Sequence, residues 1–102
     1  MTETNLLKRD FVLNTLVQRL DSIQQMGVKH LALFGSFARD EADTESDLDF
    51  LVEFEAELTF DLYMDLKFFL ENLFKRKVDL VITEDLKPQI KDSILQQAIY
   101  VA

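Results

Sequence analysis

Asp47 and Asp49 stand one residue apart in DLDF, at the entrance to an apolar run. Side chains two apart on a strand share a face, so the two carboxylates project together. A third acid, Asp79, is the lone charge in VDLVI. An isolated Asp in a short apolar strand is often only a capped or edge residue. If this strand lies beside the first, however, its carboxylate joins the same face. Three crowded carboxylates raise one another's pKa unless a cation neutralises them. A hard divalent ion with oxygen ligands suits them, and Mg²⁺ keeps coordination positions open for substrate phosphates. Two such ions about 4 Å apart would hold attacking and leaving oxygens in line for nucleotidyl transfer.

The complement to these acids lies upstream, in FGSFAR. Gly35 directly follows the apolar run VKHLALF, and a glycine there lets backbone N–H groups approach a phosphate closely. Ser36 offers a hydroxyl and, if FARDE forms a helical turn, stands at its N-terminus. The bland alternative is a turn or N-cap residue. Arg39, one turn on, can either reach the same anion or form a surface salt bridge in an acidic loop. A phosphate cradle on one strand end and a carboxylate pair on the next describe a site for a metal-bound nucleoside triphosphate. The intervening Asp40, Glu41, Asp43 and Glu45 are expected to be solvated loop. His30, the only histidine, reads as structural, and Lys75, Arg76 and Lys77 read as helix C-terminal charge complementing the dipole.

The elements that must position these residues are legible from periodicity. Apolar residues at Leu6, Leu13, Leu16, Val17, Leu20 and Ile23 predict a helix from Thr4 to Met26, ended by Gly27. Val28 to Phe34 reads as a buried strand. Leu48, Phe50, Val52 and Phe54 alternate with Asp47, Asp49, Leu51 and Glu53, which predicts a strand with two different faces. Thr59 caps a helix running to Phe74, with Leu62, Leu66, Phe69, Leu70 and Leu73 inward. Val78 to Ile82 is a third strand, and Pro88 opens a short helix carrying Ile90, Ile94, Leu95 and Ala98. The order α-β-β-α-β-α predicts an α+β fold, a small mixed sheet with helices packed on one face. Met64 with Phe68, and Leu7 with Phe11, lie off the inner stripes, either beneath another helix or as anchors of a protein interface.

With 102 residues, 48% of them hydrophobic, the chain is expected to form a single domain with one modest core. It has no cysteine, which removes disulfides and thiolate metal sites. Neither a signal-peptide core nor a membrane-length apolar run is present, so a cytoplasmic location is expected. A net charge of -8 argues against direct binding to nucleic acid and suits divalent cations or a basic protein partner.

Gly35-Ser36, ten residues, then Asp47-Leu48-Asp49 matches the GS-x10-D-x-D signature of the DNA polymerase β-like nucleotidyltransferase superfamily. More narrowly, GSFARDEADTESDLDFLVEF, KRKVDLVITEDLKP and ILQQAIYVA resemble the minimal nucleotidyltransferase (MNT) antitoxins of HEPN/MNT toxin–antitoxin modules. The resemblance covers nearly the whole chain. It implies the polymerase β-like nucleotidyltransferase fold and transfer of AMP from ATP to a tyrosine of a HEPN ribonuclease toxin, in a hetero-oligomeric complex. It further implies that Gly35 and Ser36 hold the triphosphate, with Arg39 on the phosphates. Asp47 and Asp49 ligate both Mg²⁺ ions, and Asp79 completes one metal site and takes the acceptor proton. One departure is visible: family members often carry Gly after that Arg, where this chain has Asp40. Two other functions stay open, an antitoxin that only binds and occludes its partner, and modification of a small molecule. About 100 residues leave little room for a pocket enclosing a small acceptor, which favours a protein one.

Overall fold

Val12, Leu16 and Ile23 form the fully buried stripe of the N-terminal helical segment. In the computed structural model, which describes residues 7–55 and 57–102, this segment is two helices, α1 (Arg9–Gln18) and α2 (Leu20–Gln25). The single helix expected from the periodicity is therefore corrected. Its expected start at Thr4, and Leu6, lie outside the described residues. At Arg19 the N–H is shared between the carbonyls of Thr15 and Leu16, both at 3.1 Å, and the helix axis breaks there. The stripe is corrected too, because Val12 is buried whereas Val17 is 58% exposed.

Two strands have the bounds read from their apolar runs, β1 (Val28–Phe34) and β3 (Val78–Ile82), and β2 (Leu48–Phe54) begins one residue after Asp47, the first residue of the expected alternation. A four-residue helix, α3 (Gly35–Ala38), leaves β1 at the Gly-Ser step. Helix α4 (Phe60–Phe74) carries the chain from β2 across to β3. A 3-10 turn (Thr83–Asp85) and α5 (Pro88–Gln97) lead to a fourth strand, β4 (Ile99–Tyr100), which the periodicity did not predict. Two residues are too few to show alternation. The sheet order is β3-β2-β1-β4, with β2 and β3 parallel and the other pairs antiparallel, a mixed sheet.

The sheet's two faces divide the chemistry. Leu48, Phe50, Val52 and Phe54 of β2 and Leu80 of β3 join one apolar cluster with Val12, Leu16, Leu66, Leu70 and Phe74 of the helices. Fully burying each such side chain stabilises the fold by about 1.5–3 kcal/mol. Phe50 stacks on Phe74 with ring centroids 6.3 Å apart, which fixes α4 against β2. Helix α4 begins where Thr59 Oγ1 accepts a hydrogen bond from the Leu62 N–H at 3.1 Å, as the sequence predicts. It ends at Lys75, held in the left-handed region at φ 53°. By strand alternation Asp49 and Asp79 belong to the opposite face. Among the described residues no helix is long and apolar enough to cross a membrane.

Candidate active site

Asp49 and Asp79 are direct register partners on the parallel strands β2 and β3. Partners across a sheet point the same way, so the carboxylates that lie 30 residues apart in sequence sit side by side. The Leu48 N–H donates to the Lys77 carbonyl at 3.0 Å and fixes this register at the entrance to both strands. Asp47 precedes β2 and lies two residues before Asp49, close enough for its charge to act on the Asp49 carboxyl. Burial first, and then the charges of Asp79 and Asp47, push the Asp49 carboxyl up from 3.8 to about 6, against an opposing pull from Arg39. Asp49 therefore lies within the electrostatic reach of every other charged residue expected at the site.

Gly35 closes on Asp49 from β1. It adopts φ 77°, a region that L side chains rarely enter, and a Cβ there would stand 3.0 Å from Asp49 Cγ and overlap its carboxylate oxygen. Glycine is required twice over, for backbone conformation and for space. Ser36 follows in the first turn of α3, half-buried, with its backbone carbonyl accepting from the Glu41 N–H at 2.8 Å. Arg39 donates through Nε to Glu41 Oε1 and through Nη1 to Gln97 Oε1 of α5, both at 2.9 Å. The surface salt bridge is formed, and the charge of Arg39 also reaches Asp49. A guanidinium has five N–H donors, so these two bonds leave donors for a phosphate.

Asp40 has φ 61°, and this explains the departure noted in the sequence. The position requires the left-handed region, which glycine enters freely and Asp tolerates. Its side chain is exposed and does not contribute to the shift at Asp49.

The acidic loop is more ordered than its composition suggests. Asp43 Oδ1 accepts from the Glu45 N–H at 2.8 Å and from Ser46 Oγ at 3.1 Å, and these bonds hold its carboxyl below the usual range. Glu41 is paired with Arg39, so two of the four acids expected to be free loop charges have partners. Arg76 fastens the whole turn. Its Nη1 reaches the carbonyls of Asp43, Thr44 and Ser46 at 3.2, 3.3 and 3.0 Å. Its Cζ lies 5.6 Å from the ring centroid of Phe37, the residue after Ser36. One side chain from the α4–β3 connection thus ties the loop before Asp47 to the helix after Gly35. The expectation that Arg76 merely complements a helix dipole is corrected.

Comparison with known proteins shows the family. The family model for the nucleotidyltransferase domain matches residues 13–101. The protein adenylyltransferase MntA of Thermococcus cleftensis is 37% identical over 78 residues, covering 76% of this chain and 79% of that one. The chain belongs to the nucleotidyltransferase domain family. A solved structure described provisionally as a minimal nucleotidyltransferase superposes with a TM-score of 0.80 at 33% identity, covering 91% of this chain and 95% of that one. The MNT antitoxin of Shewanella oneidensis, solved with its tri-AMPylated HEPN toxin, shares the fold with a TM-score of 0.64 at 18% identity, covering 92% and 71%.

In this nucleotidyltransferase, no three His, Cys, Asp or Glu side chains among the described residues are grouped so that they could hold a metal ion by themselves. The donor set nonetheless suits a hard divalent ion. It is all carboxylate oxygen, and the half-buried Asp49 has more negative charge beside it than Arg39 offsets. Mg²⁺ is commonly held by one or two carboxylates and completed by substrate phosphates, so a closed protein cage is not needed. Sequence reasoning missed Arg76 and Tyr63. Tyr63 Oη donates to the Leu80 carbonyl at 2.6 Å, and burial followed by the charge of Asp79 raises its pKa. The signal for Arg76 was a cation two residues before a strand carrying a site acid. No signal in the sequence marked Tyr63, whose place depends on how α4 crosses β3. His30 stays structural, its Nδ1 3.1 Å from the Ala102 main-chain oxygen and its ring edge-on to Tyr100.

Proposed function

We propose that this chain is the antitoxin of a HEPN/MNT module and transfers AMP from ATP to a tyrosine hydroxyl of its HEPN ribonuclease toxin in the cytoplasm. The observation that carries the reading is the direct pairing of Asp49 with Asp79 beside a glycine that only a Cβ-free residue can occupy. The name of the Thermococcus cleftensis relative supports protein adenylylation. The Shewanella oneidensis complex, whose antitoxin shares the fold, supports a HEPN partner.

Backbone N–H groups at Gly35 and Ser36 would cradle the β- and γ-phosphates, and Arg39 would add its free guanidinium donors. Two Mg²⁺ ions, held by Asp47, Asp49 and Asp79, would supply charge neutralisation on the reacting phosphate. Asp79, exposed at the sheet edge, would take the proton of the acceptor hydroxyl. The hydroxyl oxygen bonds to the α-phosphorus, the bond to the bridging oxygen breaks, and pyrophosphate leaves with that electron pair.

The test incubates the protein with the product of the adjoining gene, Mg²⁺ and ATP labelled at the α-phosphate. Label on a partner tyrosine, lost in the double variant Asp47→Asn with Asp49→Asn, is the expected result. A complex that silences the ribonuclease without labelling it would establish occlusion instead. Label entering a small acceptor with no protein present would establish small-molecule modification.

A further inference from the structure

A cavity of about 490 Å³ opens at the outer edge of β3, lined by Leu58, Phe60, Tyr63, Val81 and Ile82 among others. We propose that it receives an apolar anchor side chain of the acceptor protein, two or three residues along an extended segment from the hydroxyl that is modified. This rests on the protein-acceptor reading above and names the surface that recognises the acceptor.

Sheet order decides which substrate the cavity faces. The phosphate cradle is at the end of β1, Asp49 is on β2, and Asp79 is on the edge strand β3. In phosphoryl transfer the attacking and leaving oxygens lie roughly in line on opposite sides of phosphorus. With pyrophosphate leaving toward β1, the attacking hydroxyl arrives from the β3 side. Val81 is two residues beyond Asp79 on the same strand face, about 7 Å away at strand rise. A segment that brings a hydroxyl to Asp79 therefore lays its neighbours over Val81 and the cavity.

The lining fits an apolar side chain between basic ones. Phe60 is 76% exposed and Leu58 is also exposed, so large apolar surface faces solvent at the rim. Asp85 lines the cavity, and Glu84 joins it around an adjoining hollow that shares Leu58 and Ile82. An acidic rim on a chain of net charge -8 is complementary to Lys or Arg flanking the anchor. Contact is by side chains rather than strand addition. Tyr63 Oη already bonds the Leu80 carbonyl, and a Glu71 carboxylate oxygen accepts from the Val78 N–H at 3.2 Å.

The test measures label transfer from ATP to the adjoining gene's product across a range of partner concentrations. Phe60→Ser should raise the KM for the partner about tenfold, with kcat at saturation and the KM for ATP unchanged. Asp85→Lys should also raise the partner KM, and Val17→Ser, exposed on α1, should leave it unchanged. An unchanged partner KM in Phe60→Ser overturns the proposal, and so does a raised KM for ATP, which would place the nucleotide base in the cavity. Loss of self-association in Phe60→Ser would assign the surface to a second copy and overturn it likewise. If the wild type labels no partner, the transfer reading falls, and docking is read directly. Partner binding without ATP should then weaken about tenfold in Phe60→Ser, and equal binding overturns the docking surface.

Discussion

Asp49 is half-buried between two other carboxylates, and its pKa of about 6 makes the site sensitive to pH. The folded state binds this proton more tightly than the unfolded chain, whose carboxyl titrates near 3.8. Stability in metal-free buffer should therefore fall as pH rises from about 4 to about 6, with the penalty complete above that window. Mg²⁺ relieves the repulsion, so it should raise Tm more at pH 7.5 than at pH 5. Thermal melts with and without Mg²⁺ test this, and Asp49→Asn should remove the pH slope. A wild-type slope of the opposite sign would refute the assignment. At Gly35 the expected effect is steric. Gly35→Ala should abolish nucleotidyl transfer and cost at least about 1 kcal/mol, because a left-handed φ and a carboxylate both oppose the added methyl. Transfer at wild-type rate by this variant would show that Asp49 is free to move aside.

At the scale of elements, the connection from α4 to β3 carries two separable roles. Lys75 closes α4 at φ 53°, where glycine is unstrained. Lys75→Gly should stabilise the chain by about 0.5–1 kcal/mol, seen as a rise of a few degrees in Tm, with transfer unaffected. Arg76 differs because three loop carbonyls and the Phe37 ring converge on it. Arg76→Lys keeps the charge but loses the planar fork. It should lower kcat about tenfold or more and weaken Mg²⁺ dependence, with a smaller change in Tm. Equal losses in stability and activity, restored together by cooling, would make Arg76 a purely structural tie. The adjacent residues thus make opposite predictions, one for stability and one for geometry.

At the scale of the whole molecule, one apolar cluster supports the face that carries the acids. Phe50 is fully buried, next to Asp49 in β2, and stacks on Phe74. Phe50→Ala should cost about 3–5 kcal/mol, a large share of the stability of a domain this size. Urea melts would show it as a lowered midpoint, and a cost below about 1 kcal/mol would mean that the cluster is not the main support of the sheet. Of the displaced pairs noted in the sequence, Phe68 on α4 and Phe11 on α1 are exposed, whereas Met64 is half-buried and Leu7 packs against the core cluster.

Local sequence specifies the three long strands and the capped helix from Thr59. Each follows from local periodicity or a fixed spacing, which backbone geometry translates directly into direction. Gly35 was also legible, since a residue type with unique φ freedom marks itself. Only the tertiary structure decided that Asp79 stands beside Asp49, because parallel register is set by how α4 crosses between β2 and β3. It likewise decided the break at Arg19, the two-residue β4, and the ties made by Tyr63 and Arg76. Apart from the break at Arg19, these depend on contacts across about 17 to 70 residues of chain, and no local pattern encodes the partner at the far end.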